Sequence, residues 1–231
     1  ISPDGSRAAV TCSTSDSVAL VSLHTLHIIG HVLLRDPQTN AKYDVGLHNR
    51  TWMDPAGVLH IPAVVGGGGG VVLVDTYGPE LLSAKKLSDD KVPWTIAPLH
   101  RDSLYGVLLS SNGKDAGHLS VYRAESRKRA LTQVGSPVPF SPNYKGTFPS
   151  GLTLSPDGTT LTMTYSGVTS DVELVDVAVS GNAVSIASGK GFTMKMAGTV
   201  LERPYDVAYL PKTGISGLGI GSKTLFVTSW K

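Results

Sequence analysis

The sequence predicts an all-β protein built from repeated units of four short strands. Gly and Pro supply 26 and 14 of the 231 residues, a share typical of chains with many turns and few long helices. Apolar residues mostly recur at every second position and include many β-branched residues, as strands require. No window of a dozen residues shows the period of an amphipathic helix. Turn-forming residues also recur at a regular distance along the chain.

Composition and charge exclude several classes of protein. Hydrophobic residues make up 41% and charged residues 16% of the chain, which indicates a globular domain rather than a disordered one. The net charge of +2 does not suit a protein that binds nucleic acid by neutralising phosphates. No apolar run reaches the roughly 18 to 20 residues of a membrane helix. The sequence therefore predicts neither a nucleic-acid partner nor a membrane span.

The repeat is clearest at a four-residue turn. Residues 2–5 and 155–158 both read Ser-Pro-Asp-Gly, and each is followed by two apolar strands. Pro fixes φ in such a turn, and Gly can adopt a positive φ. Weaker copies begin at Asp54, His100 and Leu210.

Two landmarks give the same repeat length. Successive turns are 52, 46, 55 and 55 residues apart when counted on Pro3, Pro55, Arg101, Pro156 and Pro211. The later apolar run recurs after 53, 48 and 53 residues when counted on Leu20, Leu73, Val121 and Leu174. A period of about 50 residues is typical of β-propellers, whose units are small sheets that cannot bury their faces alone.

We interpret residues 1–231 as a single β-propeller domain or a fragment of one. Its antiparallel four-stranded units are expected at about residues 1–34, 43–87, 93–134, 149–189 and 204–231. The first unit begins inside its turn, and the last ends after its second strand. Seven units of this period would need roughly 360 residues. We therefore expect an incomplete ring, within a longer protein or completed by an additional chain.

Three segments carry a resemblance to a known family. Residues 155–161 with the later strand ending at Asp176, residues 2–21, and residues 223–229 (Lys-Thr-Leu-Phe-Val-Thr-Ser) resemble the YVTN-type β-propeller repeat. The resemblance implies a WD40-like repeat protein that is periplasmic, exposed at the cell surface or secreted. Relatives include surface-layer proteins, lactonase-like enzymes and subunits of redox complexes. The motif is structural, so it implies neither one activity nor any catalytic residue.

Aromatic and cationic residues are concentrated in the loops between units. In a propeller these loops gather on one face around the central channel, where such side chains suit an anionic ligand or a peptide partner. The loops hold Tyr43, Asp44, His48, Arg50, Lys91, Trp94, Tyr144, Lys145, Arg203, Tyr205 and Asp206. The residues predicted to bind a ligand are Tyr43, His48, Arg50, Trp94, Lys145, Arg203 and Tyr205. By the same register, Asp4, Asp54, Asp102 and Asp157 should lie on the opposite face.

These features favour a non-enzymatic binding or scaffold propeller outside the cytoplasm, with a ligand or protein partner on the loop face. The alternative is an enzyme or redox-complex subunit of the lactonase-like or quinoprotein-like type. That alternative needs clustered acidic residues or histidines at the channel mouth, and the loops offer chiefly Asp44 and Asp206. The sequence indicates no particular cofactor.

Two further motifs are interpreted as structural. His24, His27 and His31 fall where a third strand leads into a fourth, so offsets of three place them on opposite faces rather than around a metal. The five glycines at 66–70 precede an apolar strand rather than a helix, which predicts a flexible loop and not a phosphate loop.

Overall fold

The chain is described by a computed structural model that contains strands and turns but no helix in the described residues. Those residues are 1–46, 50–99, 105–111, 117–125, 129–139, 148–155, 160–166, 171–180, 183–187, 191–193, 195–196, 199–200, 204–210, 214–219 and 225–228. Five sheets of antiparallel strands follow one another along them. Within that part of the chain the sheets do not close into a ring.

The first three sheets have the order of simple meanders. The first comprises β1 (Arg7–Cys12), β2 (Ser17–Ser22) and β3 (Ile28–Leu33). The second comprises β4 (Trp52–Met53), β5 (Val58–Val65), β6 (Gly68–Asp75) and β7 (Glu80–Lys86). The third comprises β8 (Val92–Pro98), β9 (Tyr105–Ser111), β10 (His118–Glu125) and β11 (Ala130–Pro139).

The remaining strands form two more sheets and a hairpin. The fourth sheet comprises β12 (Phe148–Leu154), β13 (Thr160–Ser166), β14 (Asp171–Ser180), β15 (Ala183–Ala187) and β16 (Gly191–Thr193), with β16 paired to β14. The hairpin comprises β17 (Lys195–Met196) and β18 (Thr199–Val200). The fifth sheet comprises β19 (Pro204–Leu210), β20 (Gly214–Gly219) and β21 (Leu225–Thr228).

The predicted strand pairing is confirmed. In the fourth sheet Leu161 pairs with Val175 in antiparallel register, and in the second sheet Leu59 pairs with Val74. Pro62 lies inside β5, where a missing N–H would weaken a ladder. The inner edge of β5 pairs with β4 at residues 59–60 and with Asp44 at Val64, so Pro62 falls between these two contacts.

The glycine run is not the predicted loop. Only Gly66 and Gly67 form a turn, and both have positive φ, +56° and +75°, as a two-residue hairpin turn of the primed type requires. Gly68–Gly70 belong to β6. A Cβ on Gly68 would lie 2.2 Å from the carbonyl oxygen of Ser88, so the run also lets the chain beyond β7 pack directly on β6.

Both faces of the central sheets are buried, because side chains alternate along each strand. Val72 and Val74 of β6 pack toward the first sheet, whereas Val71 and Leu73 pack toward the third. Leu108 of β9 likewise faces the second sheet, whereas Val107 and Leu109 face the fourth. The sheets therefore stand face to face, like the blades of a propeller.

The strands that begin the blades lie side by side at the inner edge of the array. A parallel bridge joins Arg50, just before β4, to Thr95 of β8. β8 also contacts β12, and β12 contacts β19. The bridge shows that β4 and β8 run in the same direction. The turns at residues 2–5 and 54–57 lie together at one end of the blades, which we call the turn end, because Tyr77 bonds to Asp4 and packs near Gly57.

Candidate functional site

A cluster of polar side chains lies at the end of the third sheet opposite those turns. Its members are Asp90, Trp94, Ser110, Ser111 and His118, and we call it the loop-face cluster. Ser110 and Ser111 end β9, His118 begins β10, and Asp90 precedes β8. Strand pairing brings these places together, since Ser110 lies opposite both Pro93 and His118.

One half of the cluster is organised by the Asp90 carboxylate. Its Oδ2 accepts hydrogen bonds from Ser110 Oγ at 3.1 Å and from His118 Nδ1 at 2.8 Å. A carboxylate only accepts, so this contact places a proton on Nδ1 of the histidine. Asp90 is buried, whereas the His118 side chain is 35% exposed. The arrangement holds a partly exposed imidazole in one orientation.

Trp94 supplies the other half. Its Nε1–H donates to Ser111 Oγ at 2.9 Å, and its ring packs beside the core between the third and fourth sheets. Ser110 faces the second sheet, where its Cβ approaches Gly69. The cluster thus spans both faces of one blade at its loop end.

Arg50 lies in the channel, beside a cavity and not among the loops. The cavity has a volume of about 220 Å³ and is lined by residues 50–52, 96–98 and 152–155. These segments belong to the inner edges of three successive blades. The carbonyl oxygen of Arg50 accepts a hydrogen bond of 3.3 Å from the N–H of Ile96. Trp52, which lines the cavity, lies just before the turn that Asp54 begins, so this cavity lies toward the turn end of the channel.

Tyr43 is buried, with 7% of its surface exposed, in the core between the first and second sheets. Its hydroxyl donates to Asp36 Oδ2 at 3.1 Å. Burial, followed by the neighbouring Asp36, raises the pKa of Tyr43 to about 12. The contact ties the loop after β3 to the core.

Of the other predicted binding residues, Tyr205 belongs to β19. His48, Lys145 and Arg203 lie outside the described residues. Asp102 and Asp157, which were predicted on the opposite face, lie outside them as well. Asp4 and Asp54 occupy turns at the turn end, where Tyr77 bonds to Asp4 and packs near Gly57. His24, His27 and His31 are all exposed. Within the described part of the chain, no three His, Cys, Asp or Glu side chains are grouped to hold a metal.

Sequence reasoning missed a buried network of Asp54, His60 and Tyr122. All three are at most 1% exposed. The Nδ1 atom of His60 lies 2.9 Å from the Tyr122 hydroxyl, and its Nε2 lies 3.4 Å from Asp54 Oδ2. Trp52, which lines the channel cavity, packs against the His60 ring with centroids 4.3 Å apart. A histidine inside an otherwise apolar strand was the signal available in the sequence.

Protonation in this network follows from burial. Burial lowers the pKa of His60 below its ordinary value of 6.5, although the hydrogen bond and charge of Asp54 act in the opposite direction. Burial, with Asp54 nearby, raises the pKa of Tyr122 well above 10. His60 is therefore neutral. Its Nε2–H donates to Asp54, and Tyr122 donates to Nδ1.

The solved structures that resemble this chain are β-propellers, which confirms the predicted fold class. They include hydrazine synthase of Kuenenia stuttgartiensis (TM-score 0.69, 12% identity) and a 6-phosphogluconolactonase candidate of Bacteroides uniformis (0.66, 11%). Matches cover 100% and 99% of this chain, respectively, and 70% of each of those chains. The Swd1 propeller domain of Myceliophthora thermophila matches at a TM-score of 0.56 with 10% identity, over 100% of this chain and 82% of that domain.

The fold is therefore that of a β-propeller. No family model matches the sequence, and no curated protein matches it either. No helix in the described residues is long and apolar enough to cross a membrane.

The buried histidine predicts a dependence of stability on pH. The unfolded chain takes up a proton near pH 6.5, whereas folded His60 resists protonation. The free energy of unfolding should therefore fall as the pH drops below 6.5, by up to about 1.4 kcal/mol per pH unit from this residue. Denaturant unfolding at a series of pH values between pH 7 and about pH 5 measures this change in the free energy of unfolding. The slope should be shallower in His60→Gln, and equal slopes would contradict the assignment.

Proposed function

We propose that this chain is a non-enzymatic binding or scaffold propeller that works outside the cytoplasm and holds a protein partner or ligand on its loop face. The observation that carries the proposal is the loop-face cluster. Its buried carboxylate fixes a partly exposed histidine, and a neighbouring tryptophan is held by a serine. Aromatic side chains with fixed polar neighbours are the typical anchors of protein interfaces, because little freedom is lost on binding.

The extracytoplasmic location rests on the YVTN-type resemblance of the Ser-Pro-Asp-Gly units. The structural neighbours support the propeller but share at most 15% identity with this chain. They include both enzymes and a propeller domain, so they favour neither function. Recovery of the protein from the periplasmic, surface or secreted fraction of its native cells would support the location, and recovery from the cytosol would contradict it.

The Asp90–His118 pair also favours a second candidate function, an enzyme or redox-complex subunit of the lactonase-like or quinoprotein-like type. In many enzymes the histidine that acts as the general base has this orientation, with its Nδ1–H bonded to a carboxylate. Lactone hydrolysis by the purified protein that is lost in His118→Gln would support this alternative.

A second partner is proposed for the outer face of the first sheet, which we define by Val10, Val21, Ile28 and Leu33. Strand register places these side chains on the face turned away from the second sheet. Val10 is 50%, Ile28 59% and Leu33 60% exposed. Full burial of each such side chain is worth about 1.5 to 3 kcal/mol, so a bare face of this kind is costly.

We propose that a further propeller blade covers this outer face. The equivalent faces of the second and third sheets are covered by the preceding blade, as the cores on either side of β6 and β9 show. The propellers that this chain matches are also longer, since it spans 64 to 70% of three of them. The blade belongs to the same polypeptide or to a second chain that completes the ring.

Photo-crosslinking in the native cells tests the loop-face proposal. A photoreactive residue at His118 or at Trp94 should give the same discrete adduct, because both positions belong to one cluster. Thr25 is the matched control, since it lies exposed in the turn between β2 and β3 at the other end of the blades. The proposal fails if neither loop-face position gives an adduct, or if Thr25 gives the same one.

The outer-face proposal predicts association of the isolated chain. Native mass spectrometry should show the 24.2 kDa chain paired with a second copy, because each copy offers the other an apolar sheet face. Val10→Glu with Leu33→Glu should return it to a monomer, since two charges cannot be buried there unpaired. Thr25→Glu should leave the pair intact. A wild-type chain that stays monomeric would show that this face tolerates water, and it would overturn the premise on which the proposal rests.

A further inference from the structure

The channel cavity combines one cationic side chain with an apolar wall. Among its described lining residues Arg50 is the charged one, while Thr51, Thr153 and Ser155 bring hydroxyl groups. The rest of the lining is Trp52 together with aliphatic and proline side chains from β8 and β12. Small-molecule sites commonly combine apolar side chains with a few polar groups that fix the orientation of the ligand.

The walls of this cavity are supported by contacts between blades. Its segments come from the inner strands of three blades, and the Arg50 backbone is held to Ile96 by a hydrogen bond of 3.3 Å. The Trp52 ring also packs against wholly buried His60, with ring centroids 4.3 Å apart. Such support lowers the cost of ordering the site when a ligand binds.

A buried hydroxyl on β8, the strand that supplies part of the cavity wall, lacks a partner among the described residues. Thr95 Oγ1 is buried and has no hydrogen-bond partner among the described residues. Thr95 lies on the same face of β8 as Ala97, which lines the cavity. Buried polar atoms without partners are uncommon in folded proteins, and they often mark places where a further molecule contributes.

We propose that this cavity binds a small carboxylic acid with an apolar body, such as a one-ring aromatic acid. Guanidinium groups bind carboxylates through paired charge-assisted hydrogen bonds, which Arg50 can supply. The apolar wall and Trp52 would bury the ring, which an inorganic anion could not exploit. At about 220 Å³ the cavity is smaller than the roughly 300 to 1,000 Å³ of sites for drug-sized ligands, so a small acid fits its size.

This inference concerns a site separate from the loop-face cluster. Arg50 and Trp52 lie in the channel toward the turn end, whereas Trp94 and His118 lie at the loop end. The absence of a partner at the loop-face cluster would therefore not contradict the proposal for the cavity. The absence of a ligand in the cavity would likewise not contradict the loop-face proposal.

The test is a titration with benzoate followed by the indole N–H signal of Trp52 in NMR spectra. Trp52→Phe identifies that signal. Benzoate should shift it saturably, with a Kd in the micromolar to millimolar range, and should leave the Trp94 signal in place. Neutral benzamide and inorganic phosphate should each bind at least tenfold more weakly, because one lacks the charge and the other lacks the ring.

Variants of Arg50 then test whether benzoate binds in this cavity or is attracted by the positive charge of the protein in general. Arg50→Gln should weaken benzoate binding by about ten- to hundredfold. Arg35→Gln removes an equal charge from a half-buried arginine in the loop after β3 and should bind normally. If Arg50→Gln does not fold, Arg50→Lys keeps the charge and should weaken binding severalfold.

Three results would overturn the proposal. One is the absence of any saturable shift at Trp52. Another is equal binding of benzoate, benzamide and phosphate. The last is an equal loss of affinity in Arg35→Gln and the Arg50 variants.

Discussion

The second and third sheets of this protein each have two apolar faces, and the rest of the structure depends on covering both. The four consecutive residues 71–74 of β6 are wholly buried, two toward the first sheet and two toward the third. A single small sheet cannot do this alone, because one of its faces would stay in water. Face-to-face stacking of blades meets the requirement and also brings the first strands of the blades together around a channel.

Close stacking explains features that have no local cause. The Tyr122 ring crosses the face of its neighbour β9, where a Cβ on Gly106 would lie 2.3 Å from the Tyr122 hydroxyl oxygen. Glycine is therefore required at position 106. The same hydroxyl reaches His60 of the second sheet, so one tyrosine joins two blades through a hydrogen bond in the core. Loss of that bond would leave a buried imidazole nitrogen unpaired, which typically costs about 1 to 3 kcal/mol.

Much of the fold could be predicted from the sequence, because its determinants are local. The Ser-Pro-Asp-Gly turns and the two-residue alternation predicted where strands pair, including Leu161 with Val175. The glycine run was misinterpreted because only its first two members form the turn, while the others meet a chain segment about twenty residues later. The contacts of the Asp54–His60–Tyr122 network could not be predicted, since His60 and Tyr122 are 62 residues apart and meet only when two blades pack.

The candidate site was predicted less well for a related reason. Position within a repeat indicates which loop or strand holds a residue, but it does not indicate how deeply the side chain is buried. Tyr43 and Arg50 have similar places in the sequence pattern, yet the first lies in the core and the second beside the channel cavity. Asp90 and His118 were not singled out, because their contact depends on the pairing of β9 with β8 and β10.

Hydrogen exchange of the chain, diluted until paired copies separate into monomers, tests most directly whether face-to-face packing dominates its stability. β2 and β6 are matched, because each is hydrogen-bonded to a strand on both sides. They differ in that both faces of β6 are covered, whereas one face of the first sheet carries exposed Val10 and Leu33. Amides of β6 should therefore exchange at least about tenfold more slowly than those of β2. Equal protection of β2 and β6 would contradict this account.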